Sequence, residues 1–110
     1  MRPVQENDVF HAIAHPARRA ILVTLKDGER PANELAEPFR MTFAAISQHL
    51  RVLEDAGVVT SEKLGRVRTV SLRPGALDVL HLWLGEQRTP AERDADRLGI
   101  HLTRTITKEI

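Results

Sequence analysis

The stretch from Pro31 to Gly57 constrains this chain more than any other. Pro31 suits the first turn of a helix, and Ala32, Leu35, Ala36 and Phe39 recur at helical spacing until Pro38 brings the run to an end. Only Arg40 and Met41 separate that run from Thr42, a good N-cap for a longer helix that reaches Ala56 and stops at Gly57. Within it Ile46, Leu50 and Leu53 form one apolar stripe, so Phe43, Ala44, Ser47, Gln48 and Arg51 face away from the core. A short helix, a tight turn and a capped longer helix form a helix-turn-helix arrangement. The outward face of its second helix offers donors, acceptors and a little apolar surface.

Two helices are expected before this unit. Asn7 or Asp8 can cap a short one carrying Val9, Phe10, Ile13 and Ala14, which ends at His15-Pro16 because a residue before proline avoids helical geometry. Pro16 opens the second, with Ile21, Leu22 and Leu25 on one side and Asp27-Gly28 closing it. After Val58 the pattern turns β-like in two runs, 58–64 and 67–72, around Gly65-Arg66. Glycine allows the positive φ of a tight hairpin, and Arg66 and Arg68 lie at its end, so this hairpin reads as a basic wing.

Pro74 is expected to open a further helix over 75–85, apolar nearly all round, with only Asp78 and His81 interrupting. Leu77, Leu80 and Leu84 share one face, while Val79, Leu82 and Trp83 lie around another. Such a helix must be covered on more than one side, and one small core reaches it from a single side. A second copy of the chain is the expected cover, with Phe10 and Ile13 of the first helix as its natural partner surface. Thr89-Pro90-Ala91-Glu92 has the form of a capping box and predicts one more helix to about Leu98. Beyond Gly99, Ile100, Leu102, Ile106 and Ile110 share parity with Arg104 and Lys108, which fits a strand or a frayed end.

The fold class expected is therefore mainly α with a β-hairpin wing. Residues 1–86 form one winged helix-turn-helix domain, a homodimer through its first and last helices, and 87–110 are a C-terminal extension. A chain of 110 residues is one domain's worth and buries only about two thirds of its unfolded surface, so a partner subunit adds much.

Composition removes several alternatives. There is no cysteine, which excludes disulfides, thiolate metal sites and thiol redox switching. No apolar run approaches the roughly 18 residues that span a bilayer, and the first residues lack the apolar core of a secretory signal, so a cytoplasmic location is expected. No nucleophile with a paired base, glycine-rich phosphate loop or acid/base carboxylate pair points to an enzyme. The net charge is +1, yet residues 40–73 carry six bases against three acids while the flanks are slightly acidic. That layout fits a phosphate-contacting face, or an ordinary solvated surface.

The residues His15-Pro16-Ala17-Arg18-Arg19-Ala20-Ile21-Leu22, then Glu34-Leu35-Ala36, then Ile46 through Val59, then Gly65-Arg66, resemble the ArsR/SmtB family of bacterial repressors in unbroken order. The resemblance implies a winged-helix dimer that binds double-stranded DNA, with each longer helix entering one half-site of a palindromic operator. It places Thr42, Phe43, Ala44, Ser47, Gln48 and His49 where that family presents DNA-facing residues, and Arg66 and Arg68 on the wing. Arg51 continues the same face. Glutamine can pair with an adenine edge, Phe43 or Ala44 can touch a thymine methyl, and arginines hold phosphates or a narrow minor groove. For His49 a DNA contact and a structural hydrogen bond are both open, and Phe43 can read bases or plug the preceding helix. One of Arg18 and Arg19 can pair with an acid inside the subunit while the other meets phosphate.

The departures bear on sensing. Many relatives bind metal through cysteines in the helix before the turn, where this chain has Asn33-Glu34-Leu35-Ala36. The family's other site uses an Asp and a His two apart, whereas Asp78 and His81 are three apart. His11 and His15 straddle a helix break. No metal or other cofactor is expected, and the inducer, whether small molecule or protein, is left open. A winged-helix protein-interaction module is the alternative function, against which the polar outward face and basic wing argue.

Overall fold

The computed structural model describes residues 3–99, so the strand-like tail from Ile100 onward lies outside the described residues. The elements run α1 Glu6–Ile13, α2 Pro16–Leu25, β1 Arg30–Pro31, α3 Ala32–Ala36, a 3-10 turn Glu37–Phe39, α4 Phe43–Asp55, β2 Val59–Leu64, β3 Val67–Leu72, α5 Asp78–Glu86 and α6 Pro90–Arg97. The chain divides after Leu80 into two compact units, so the division falls within the last apolar helix rather than after it.

In the first unit one stripe from each of α1 to α4 meets in a single core. Val9 and Ala12, Ile21 and Leu25, Leu35, and Ile46, Leu50 and Leu53 are all buried there, joined by Val58, Val59 and Val70 from the sheet. No polar residue is buried among the described residues.

Helix α4 begins and ends as its sequence dictates. Thr42 is the N-cap, its Oγ1 accepting from the Ala45 N–H at 3.1 Å. At the other end Gly57 takes φ +77, its N–H donates to the Glu54 carbonyl and the Val58 N–H donates to the Leu53 carbonyl, each at 2.9 Å. This is a Schellman motif, and the buried pair Leu53 and Val58 supplies the apolar contact that accompanies it. Inside the turn before α4, Arg40 adopts φ +53.

Three local expectations are corrected. Helix α1 starts at Glu6 with Gln5 as a cap that makes no side-chain bond, so Asn7 and Asp8 lie in its first turn, where acidic Glu6 and Asp8 favour the positive end of the helix dipole. Helix α5 starts at Asp78, not at Pro74, because Gly75 takes φ +76 and the segment before Asp78 folds as turns closed by Ala76 N–H to Arg73 and Asp78 N–H to Gly75. Pro31 caps α3 from an extended conformation while also forming a two-residue strand beside β3. The sheet order is therefore β1-β3-β2, all antiparallel, with Arg30 opposite Val70 and Pro31 opposite Thr69. A proline without an N–H is tolerated on such an edge.

Strands β2 and β3 pair from Val59 opposite Leu72 to Leu64 opposite Val67, leaving Gly65-Arg66 as a two-residue loop. Gly65 has φ +64 and Arg66 has no positive φ, the pattern of a II′ turn. Opposed residues of an antiparallel pair share a face. Val59, Ser61, Lys63, Arg68 and Val70 thus lie on the face that carries the buried Val59 and Val70, and Leu64 and Val67 stand exposed on the other.

In the second unit the capping box is formed as expected: Thr89 Oγ1 accepts from Glu92 N–H while Glu92 Oε1 accepts from Thr89 N–H, both at 3.1 Å. Arg88 braces α6 by pairing with Glu92 and Asp96, each at 2.6 Å. The carboxyl of Glu92 is held below the usual range, chiefly by the Thr89 backbone and hydroxyl hydrogen bonds.

Candidate nucleic-acid interface

The outward face of α4 follows from its buried stripe. With Ile46, Leu50 and Leu53 turned inward, Thr42, Phe43, Ala44, Gln48 and Arg51 are exposed and Ser47 is half-buried at the edge. Phe43 is 57% exposed, so it is not a plug against α3. The Thr42 side chain serves first as the helix cap. Between α4 and the wing lies an open trough of about 330 Å³, lined by Ser47, Gln48, Arg51, Glu54 and Arg68. Its polar lining is what a base-reading surface needs. Arg66 projects from the exposed wing loop, with Lys63 near it on β2.

Two residues expected on this face are engaged elsewhere. His49 turns toward the start of α2: its Nδ1 lies 3.4 Å from Nη1 of Arg18, and its ring sits 4.6 Å from that of His15, tilted by 52°. Arginine can only donate, so Nδ1 of His49 accepts and the ring is neutral. Burial, then the neighbouring His15 and Arg18, push the His49 imidazole below its ordinary pKa. These contacts join α4 to the start of α2, and His15 caps α2 by accepting from the Ala17 N–H at 3.1 Å.

Arg68 is likewise not a free cation at the wing tip. Its Nη2 pairs with Glu54 at 2.5 and 2.6 Å, and its Nε donates to Ser61 Oγ at 3.0 Å, while Ser61 also hydrogen-bonds Glu54. The physical reason is strand parity, which puts Arg68 on the face toward the helices. Glu54 and Ser61 were not singled out by the sequence. Their signal was that Arg68 shares parity with Val70, a residue that must point inward.

Arg18 and Arg19 have a shared task. Arg18 Nε donates to the Ala12 carbonyl at 2.5 Å and its Nη2 to that of His11, and Arg19 donates to the Ile13 carbonyl at 2.7 Å. Both therefore satisfy the last carbonyls of α1, where cations are favoured.

The surfaces expected to join two copies are also distributed differently. Leu80 is only 8% exposed and belongs to the chain's own core, and Phe10 and Ile13 are half-buried against the same core. Leu77 and Leu84 are exposed, together with Leu82 and Trp83. The exposed apolar face thus runs over Leu82, Trp83 and Leu84, whereas Leu80 is buried. Among the described residues no three His, Cys, Asp or Glu side chains are grouped so as to hold a metal ion.

Comparison with known proteins decides the family. The model of the bacterial regulatory protein arsR family matches residues 15–61, which span α2 through the start of β2. The transcriptional repressor SdpR of Bacillus subtilis is 37% identical over 78 residues, covering 71% of this chain and 87% of that protein. The chain belongs to the arsR family. A crystal structure of an ArsR family transcriptional regulator superposes with a TM-score of 0.72 at 39% identity, covering 79% of this chain and 90% of that one. The HTH-type transcriptional repressor SmtB of Mycobacterium tuberculosis is 39% identical over 59 residues, 54% of this chain and 44% of that protein. This arsR-family chain is a DNA-binding transcriptional regulator with a winged helix-turn-helix fold.

Proposed function

We propose that this regulator is a homodimeric cytoplasmic repressor that acts by binding alone, laying α4 of each subunit in the major groove of one half of a palindromic operator. The observation that carries the proposal is the exposed polar face of α4 beside an exposed wing. In this reading Gln48, Ser47 and Arg51 meet base edges and nearby phosphates, Phe43 and Ala44 meet thymine methyls, Thr42 fixes the helix end against the backbone, and Arg66 holds phosphate or the minor groove. His49 and Arg68 serve the same interface indirectly. The repressor role is supported by the likeness to SdpR and SmtB, both transcriptional repressors, and the dimer by the exposed apolar face of α5.

Selection from a random duplex library, followed by gel shift, tests the reading. A palindrome with half-sites about one helical turn apart, roughly 10 base pairs, is expected. Gln48→Ala should lower affinity for that duplex by about 1 to 3 kcal/mol and relax its sequence preference. Arg66→Ala should weaken selected and random duplex alike and reduce the salt slope by about one unit. If the selected sequences show no consensus, or Gln48→Ala leaves the consensus unchanged, the groove assignment is wrong.

A further inference from the structure

Glu54 is an acid on a face that must approach DNA phosphates. A carboxylate there ordinarily weakens binding by repulsion. Its side chain is 21% exposed, and both oxygens are turned to Arg68, whose own side chain is 40% exposed. Arg68 stands on β3 and Ser61 diagonally across on β2, so one carboxylate at the end of α4 holds both strands of the hairpin. These three side chains form a direct hydrogen-bonded link between the wing and α4, and Glu54 and Arg68 line the trough with Gln48 and Arg51.

We propose that Glu54, through Arg68 and Ser61, is a positioning residue for DNA recognition that fixes the angle of the wing relative to α4. The inference rests on the proposed placement of α4 and wing on one duplex. Two-point recognition is sensitive to the angle between the points. A wing held at the right angle meets its backbone or groove contact without losing conformational freedom on binding, whereas a loose wing loses that freedom each time. Paired with Glu54, Arg68 is also less available to random phosphates, so the clamp favours specific over random DNA.

The test has one arm without DNA and one with it. Hydrogen exchange of the free protein should show the amides of the outer hairpin, from Glu62 to Arg68, exchanging severalfold faster in Glu54→Gln and in the milder Ser61→Ala, with the α2 and α4 amides unchanged. Unchanged wing exchange in both variants would overturn the proposal. With a duplex selected by the wild-type protein, Glu54→Gln should bind about fivefold to tenfold more weakly, while random duplex is bound as well or better because a negative charge has gone. The charge swap Glu54→Arg with Arg68→Glu should recover most of the selected-to-random ratio that Arg68→Glu alone loses. A Glu54→Gln protein that binds selected and random duplex more tightly in equal measure, or a swap no better than Arg68→Glu, would show the pair to be incidental. Failure of the wild-type protein to select any consensus would count against the groove placement, and hydrogen exchange would still decide whether the clamp exists.

Discussion

At the scale of single residues, some side chains of the proposed interface are engaged within the fold. His49 illustrates this, for it lies in the middle of α4 and yet its proton affinity is lowered by burial and by the neighbouring His15 and Arg18. Because the fold lowers its pKa below the ordinary 6.5, the unfolded chain binds this proton more readily. Above that value the group is neutral in both states and contributes no pH dependence. As pH falls through it the unfolded state gains protons and stability is lost. The melting temperature is therefore expected to decline as pH falls below the ordinary 6.5 of a histidine, and His49→Gln, which keeps an acceptor for Arg18, should flatten that decline. Scanning calorimetry across the range checks it, and an identical slope in the variant would remove His49 from the explanation.

At the scale of elements, the helix-turn-helix was legible because its punctuation is local. Thr42 and Gly57 stop α4 by hydrogen bonds to their immediate neighbours, so their residue types alone fix both ends. Gly57→Ala must place a side chain at φ +77, where its Cβ would also lie 3.1 Å from Nη1 of Arg73, so a loss of about 1 to 2 kcal/mol is expected in urea unfolding. A loss under about 0.3 kcal/mol would mean that the chain re-caps the helix elsewhere. What the sequence hid is non-local. The strand β1 is two residues long, has no alternation to read, and exists only because β3 offers it a partner. The start of α5 was misplaced because Pro74 favours an opening turn, while the left-handed Gly75 behind it forbids a helix there. The reach of Arg68 to Glu54 needed both the hairpin register and the approach of α4, and only the first was available from spacing.

At the scale of the whole molecule, burial separates two kinds of leucine on one helix. Leu80 completes the subunit's core, so Leu80→Glu should unfold the subunit by burying an unpaired charge. Leu84 is 58% exposed beside Leu82 and Trp83, so Leu84→Glu should leave the subunit folded, lower the dimer mass in sedimentation, and weaken binding to a full palindrome by tenfold or more. A Leu84→Glu protein that stays dimeric at micromolar concentration would move the subunit contact away from this face. The register of the hairpin also limits how genes of this kind can change in length. Side chains alternate with a period of two, so a single residue inserted in β3 between Arg68 and Val70 would turn Arg68 away from Glu54, and a compensating second insertion would be needed to turn it back. The loop at Gly65-Arg66 lies beyond the Lys63–Arg68 pair, on the far side from Ser61, and can grow or shrink without disturbing the root. Insertions and deletions tolerated by this hairpin should therefore collect at its tip, making the wing a part whose reach can be altered without altering its aim.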